Sequence, residues 1–202
     1  MTVPFSSARR SAPVAGPSVA RSLLPAIPEL ERLVSRSGVG GPAWSGMVRD
    51  GALTPLWGGT AIRGDAEAGP TDRAHAIAHL LPRRGVVGRA SAVWVHAGGP
   101  PPVRVDVLLP VGSRRPYEHP DRRCAETLLP AEDLDRVGDV AVTNLVRTAV
   151  DVARWLEPDV AHEHLRRLVV HGLDLAAART LLETFSGRRR ARLAREVLDT
   201  VA

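Results

Sequence analysis

Histidines and carboxylates at helical spacing are the first residues in this chain that could do chemistry. His75 and His79 stand four positions apart, the separation at which two imidazoles on one helix face share a zinc ion. The segment reads HAIAH, without the glutamate that serves as general base in HExxH enzymes, so metalloprotease chemistry is excluded. His162, His164 and His171 lack an accompanying carboxylate and cysteine set, and surface histidines on amphipathic helices account for all five. Arg147 and Asp151 are also spaced i, i+4. A catalytic carboxylate would need a second group at fixed spacing, and with its arginine one turn away this pair reads instead as an ion pair pinning a capped helix to a sheet. Asp106 is the other carboxylate of interest. Two acids without lysine, phosphate loop or metal spacing do not make a nuclease. Cys124 reads as a small apolar residue on a strand. The chain is therefore expected to be non-enzymatic and to need no cofactor or metal.

Arginine carries the remaining chemistry. Read as a helix, GRRRARLAR sets Arg188, Arg192 and Arg195 along one face, with Arg189 beside them and Leu193, Val197 and Val201 as the buried stripe. Such a strip would donate paired hydrogen bonds to phosphates and release counterions, giving salt-dependent nucleic-acid affinity. Arg114 and Arg115, in a basic turn, and Arg83 and Arg84, before a strand, are further phosphate candidates, as are Arg49 and Arg63 on either side of a hairpin. The plainer account is a set of solvated arginine faces.

Composition bears on that choice. All 27 basic residues are arginine, and lysine and glutamine are both absent, a pattern typical of a high-GC coding sequence that inflates basicity without implying function. Without lysine there is no Schiff-base enzyme, no P-loop and no ordinary PD-(D/E)xK nuclease. One cysteine cannot form an intrachain disulfide or a multi-thiolate zinc site. No uncharged run approaches the ~20 apolar residues of a membrane span, and a cytosolic protein is expected. Residues 111–160 hold seven arginines against ten acids, so a basic chain has an acidic middle.

The elements that must position these residues follow from period and punctuation. Residues 1–22 are Ser, Pro, Ala and Arg without apolar period and are expected to form a disordered tail. Leu30, Leu33 and Val34 predict a short helix from Pro28 that stops at Gly38. Leu53–Trp57 and Thr60–Arg63 flank Gly58-Gly59, a hairpin pattern. A reduced winged-helix-like unit over 23–65 is expected, since Val39–Arg49 leaves little room for the two helices of a full helix-turn-helix. Trp57 is expected to pack the hairpin, and Trp44 falls in what reads as a truncated helix. Thr71 and Asp72 open a second helix whose buried stripe is Ala74, Ile77, Ala78 and Leu81. PVRVDVLLP alternates Val103, Val105 and Val107 with Arg104 and Asp106, the pattern of a half-buried antiparallel strand followed by a GSRRP turn. Strands are expected near Arg123–Leu128 and Asp139–Val142, then four helices capped or opened by Thr143 or Asn144, by Pro158, by Asp174 and after Gly187. The expected class is α+β, an antiparallel sheet packed by C-terminal helices over 66–202.

Several segments taken in order resemble the AbiEi-type antitoxin family. GALTPLWGGTAIRGD resembles its wing, with Ala61-Ile62 where a tyrosine-like position stands. RAHAIAHLLPRRGVVGRASAVWVHAGG resembles the helix, short strand and Ser-Ala-Ala-x-x-His-Gly element that follow, through Ser91, Ala92, Val93, His96 and Gly98. VAVTNLVRTAVDVAR resembles the strand, cap and Arg-Thr-x-x-Asp helix through Arg147, Thr148 and Asp151, and GLDLAAARTLLETFSGRRRARLAREVLD resembles the paired C-terminal helices. The resemblance spans residues 50–202 and is to the actinobacterial-type variant without the nuclease-like domain. It implies a type IV toxin-antitoxin antitoxin that binds double-stranded DNA at its own promoter as an autorepressor, with a nucleotidyltransferase-like toxin as functional partner. Base reading would come from Ser45–Arg49 and the wing. The alternative is a protein-interaction module that docks on a toxin or nuclease, with LLPAEDLDRVGD as an acidic docking surface and DNA recognition lost.

Overall fold

A computed structural model describes residues 31–201; the tail expected over 1–22 and the start of the helix expected from Pro28 lie outside that range. In chain order the elements are β1 (Leu33–Ser35), α1 (Arg36–Val39), α2 (Gly41–Arg49), β2 (Leu53–Trp57), β3 (Thr60–Arg63), α3 (Pro70–Ala78), β4 (Val86–Val87), α4 (Arg89–Ala97), β5 (Val105–Pro110), β6 (Arg122–Thr127), β7 (Leu134–Val137), β8 (Val140–Thr143), α5 (Leu145–Trp155), α6 (Pro158–Val170), α7 (Leu175–Glu183) and α8 (Ala191–Thr200). The fold is α+β, with one three-stranded and one five-stranded sheet.

The first sheet corrects the helix expected over Leu33–Val34. These residues form β1, which pairs antiparallel with β3, Leu33 opposite Ile62 and Val34 opposite Ala61. Three apolar positions were too few to separate a helical period from an extended one, and the long-range pairing decides. Ser35 then caps α1, its hydroxyl accepting from the Gly38 amide at 3.0 Å, and Gly40, at φ 82°, turns the chain into α2. The interval Val39–Arg49 thus holds one helix, α2, and the single turn of α1 precedes it. Trp44, with Val34, Leu53 and Ala61, forms the small core beneath.

The five-stranded sheet runs β6-β5-β4-β8-β7. It was expected to be antiparallel and is mixed: β5 pairs parallel with β6 over six residue pairs, and β4 pairs parallel with β8. β5 is therefore not half-exposed. From Val105 to Leu109 every residue is buried, Asp106 included at 2% exposure, while Val103 lies before the strand at 94%. Burial on both faces belongs to a strand with neighbours on each side and helices above. Parallel neighbours also cannot be joined by a hairpin turn, so GSRRP is the start of a crossover loop, residues 111–121, rather than a tight turn.

Helices α3 and α4 pack against the five-stranded sheet in one core cluster, with Ile77, Leu80, Trp94, Val107 and Val142 among its residues. Helices α5 to α8 form a second cluster around Val150, Leu165, Leu168, Leu182 and Leu198. The caps are as the spacing predicts for α5 and α7, Asn144 accepting from the Arg147 amide at 2.8 Å and Asp174 from the Ala177 amide at 3.0 Å. In α3 the expectation was Thr71. Instead Gly69 takes the cap position and the Asp72 carboxylate accepts its amide at 2.8 Å, while Arg32 grips both oxygens of that carboxylate at 2.9 and 2.8 Å. No helix among the described residues is long and apolar enough to cross a membrane.

Candidate nucleic-acid interface

The winged unit presents a helix with one anchored side. In α2 the side chain of Trp44 is buried, whereas Pro42, Ala43, Ser45 and Arg49 are exposed, and Arg36 and Ser37 on α1 are exposed beside them. Trp44 holds the helix together with the partly buried Met47 and Val48, and the short outer side chains of Pro42, Ala43 and Ser45 let it approach a duplex closely, as a groove-docking helix requires. Arg36 makes no ion pair among the described residues. Arg49 meets only its neighbour Asp50, at 3.2 Å, both well exposed, a contact worth little in water. Arg63 is held by Asp65 at 2.8 Å. Two of the three wing-region arginines are thus partly compensated, and Arg36, which sequence reading passed over, is not.

Trp57 fixes the wing to the remainder of the molecule. Its indole Nε1–H donates to the Pro102 carbonyl at 2.8 Å, and its ring packs against His79 of α3 with centroids 6.1 Å apart. The hairpin is held at its turn end, since Trp57 immediately precedes Gly58-Gly59, and His79 is placed as a packing partner. Among the described residues no three His, Cys, Asp or Glu side chains stand where they could share a metal ion.

A second basic surface forms at one end of the five-stranded sheet. Because β4 runs antiparallel to β5, the residues just before β4 lie beside those just after β5. Arg83 and Arg84 thereby meet Arg114 and Arg115 around an open cleft of about 390 Å³ that Tyr117 also lines. No acid lines this cleft, and none of the four guanidiniums has an ion-pair partner among the described residues. Tyr117 is 90% exposed. Free arginines interleaved with an exposed aromatic ring are the pairing that holds phosphates and stacks bases. Nearby Arg122 is different, being spent on the fold: it donates to the carbonyls of Leu80 and Tyr117 at 2.7 Å each. The sequence shows the two arginine pairs; only the sheet topology shows that they are one site.

The C-terminal arginine strip is not formed as expected. Helix α8 starts at Ala191 because Arg190 takes a left-handed backbone, φ 65°, so Arg188 and Arg189 sit in the preceding turn and not on a helix face with Arg192 and Arg195. Arg192 pairs with Glu196 at 3.3 Å, and Arg195 with Glu183 at 3.1 Å. Local acids, one helical turn away in α8 and across on α7, thus compensate both arginines.

Arg147, Thr148 and Asp151 are buried. Arg147, 1% exposed, donates to Asp151 at 2.9 Å, to Asp133 at 2.6 Å, to the Leu128 carbonyl at 3.0 Å and to Thr127 Oγ1 at 3.2 Å. Thr148 Oγ1 donates to the Thr143 carbonyl at 3.0 Å. This joins α5 to β6, the turn before β7 and β8, a structural role. Ser91 and His96 do similar work for α4. Ser91 Oγ accepts from the Asp106 amide, and His96 Nε2–H donates to the Thr143 carbonyl, both at 2.8 Å.

No family model matches the chain, and no curated protein matches it. Among solved structures it is similar to the RV2827C protein from Mycobacterium tuberculosis, with 18% identity and a TM-score of 0.45, over 85% of this chain and 73% of that one. At that distance the likeness carries neither family nor function.

Proposed function

We propose that this protein is a DNA-binding antitoxin and autorepressor of the AbiEi type, acting without catalysis. The observation that carries the reading is the sequence of elements β1-α1-α2-β2-β3, in which a nine-residue helix anchored by Trp44 precedes a glycine-turned wing. In this reading α2 lies in the major groove through Ser45 and Arg49, Arg36 and the wing contact the flanking backbone, and the cleft of Arg83, Arg84, Arg114 and Arg115 takes further phosphates. The resemblance adds a nucleotidyltransferase-like toxin as the functional partner.

The test is fluorescence-anisotropy binding to the DNA upstream of the protein's own coding sequence and to a scrambled duplex of equal length, across a salt series. A steep salt slope with preference for the upstream DNA is the expected result. Equal binding to both duplexes removes the operator reading, and no binding at moderate salt removes DNA altogether.

A further inference from the structure

Arg188 leaves the helix only to enter a different site. With Arg89 at the start of α4 and Arg154 on α5 it lines a small cavity of about 80 Å³, walled by Trp155 and Phe185. Taking about 30 Å³ per water molecule, that is room for two or three waters or one tetrahedral oxyanion, with the rest of any larger ligand left outside.

The three guanidiniums are packed together with little to neutralise them. Arg154 is buried, and its carbon Cζ stands 4.4 Å from the Phe185 ring centre and 5.4 Å from that of Trp155; Arg89 stands 5.1 Å from Trp155. The Nε–H groups of Arg89 and of Arg154 are both buried without a hydrogen-bond partner among the described residues. Buried donors left so are costly. Arg154 and Arg188 make no ion pair there. Of the nearby acids, Asp151 also lines the cavity but is held by Arg147 at 2.9 Å; Asp106 lies outside it, its Oδ1 3.1 Å from Arg123 without a hydrogen bond and 4.0 Å from Arg89. Glu126 lines the mouth but is exposed. Burial, and then the charges of Arg147, Arg188 and Arg89, draw Arg154 below its ordinary value even against the pull of Asp151. Arg89 is also held in a left-handed backbone at φ 51°. A side-chain-bearing residue held there is strained, and such strain gathers at ligand clamps.

We infer that Arg89, Arg154 and Arg188 form a binding site, open on one side, for a single phosphate group, either inorganic phosphate or the terminal phosphate of a small phosphomonoester. The ligand accepts the two orphaned Nε–H donors and the guanidinium ends in charge-assisted hydrogen bonds. It joins α4, α5 and the turn before α8, and it is independent of the DNA reading.

Calorimetric titration of the full chain with sodium phosphate, and thermal unfolding in phosphate against sodium chloride at matched ionic strength, test this. Phosphate should bind one per chain and raise Tm beyond the chloride control. Arg188→Ala, at an exposed turn where folding is not at stake, should weaken binding by about tenfold or more, the loss of a charge-assisted hydrogen bond. Arg192→Ala, outside the cavity, should leave it unchanged. Competition by a nucleoside 5′-monophosphate but not the nucleoside identifies a terminal phosphate as an admissible source. Binding of phosphate without such competition assigns the free ion. Phosphate that stabilises no more than chloride overturns the site. So does a loss with Arg114→Ala equal to that with Arg188→Ala, which would put the ion on the exposed cleft.

Discussion

A single buried guanidinium organises the junction of sheet and helices. Arg147 faces two buried carboxylates, Asp133 and Asp151, and two further acceptors on β6 and the residue after it. Removing it leaves both acids without their partner in a site that water does not reach. Arg147→Leu should therefore cost about 3–5 kcal/mol of stability, measured by urea unfolding, and Arg147→Leu/Asp151→Leu should recover part of that loss because one stranded charge goes with it. The i, i+4 pair was legible in the sequence as structural, since helical spacing alone sets it. Asp133 was not, because it approaches from a different element. Asp72 makes a second residue-scale case. The hydrogen bonds from Arg32, and then that from the Gly69 amide, hold its carboxyl below the ordinary value. A depressed carboxylate contributes stability above its unfolded pKa and loses it as pH falls through the folded one. Wild type should thus exceed Asp72→Asn in urea midpoint at neutral pH, with the gap closing below about pH 4. A gap constant to low pH would show that the charge is not what matters.

At the scale of elements, the sequence marked those with strong punctuation. The hairpin at Gly58-Gly59, the caps of α5 and α7 and the four closing helices all follow from local signals that no distant contact needed to override. The misses have a common physical source. β1 is three residues long and exists only because β3 pairs with it; α2 reads as truncated because of the glycines and proline of GVGGPAWSG; β5 alternates in type yet is buried on both faces. The C-terminal strip failed on one backbone angle, at Arg190. Gly88 shows how tightly such elements fit. It precedes α4, its amide donates to the Asp106 carbonyl at 3.0 Å, and a Cβ there would lie 2.4 Å from Leu108 Cδ1. Its φ of −137° is open to any residue, so the obstacle is space alone. Gly88→Ala should destabilise by about 1–3 kcal/mol, the range for overpacking a core, and Gly88→Ala/Leu108→Ala should partly relieve the clash. Differential scanning calorimetry of the pair separates this from a backbone effect, which the second change would not repair.

Across the whole molecule, the formal charge of +5 says less than its placement. Most of the C-terminal arginines are answered by local acids, and Arg147 is answered inside. Among the described arginines without ion-pair partners, two exposed groups bear on nucleic acid, Arg36 beside α2 and the four of the cleft at the end of the five-stranded sheet, and Arg154 and Arg188 line the small cavity. The two exposed places should contribute differently to DNA binding, because phosphate contacts set affinity and orientation while base edges set preference. Replacing two arginines that each neutralise a phosphate should lower the slope of log K against log salt by about 1.8 in either place. The effect on preference should differ. Arg36→Ala/Arg49→Ala removes the charged side chains of the α1–α2 face and should reduce the ratio of upstream to scrambled affinity along with the slope. Arg114→Ala/Arg115→Ala should weaken both duplexes alike and leave the ratio intact. Trp57 ties the wing to the Pro102 segment, so the free-energy losses of the two double variants should add in the combined variant if both surfaces engage one duplex on a rigid frame, whereas if they bind separate molecules each double variant should weaken its own binding event alone. Anisotropy at two protein concentrations distinguishes these outcomes, since independent sites would add a second binding phase that a single bridged duplex does not show.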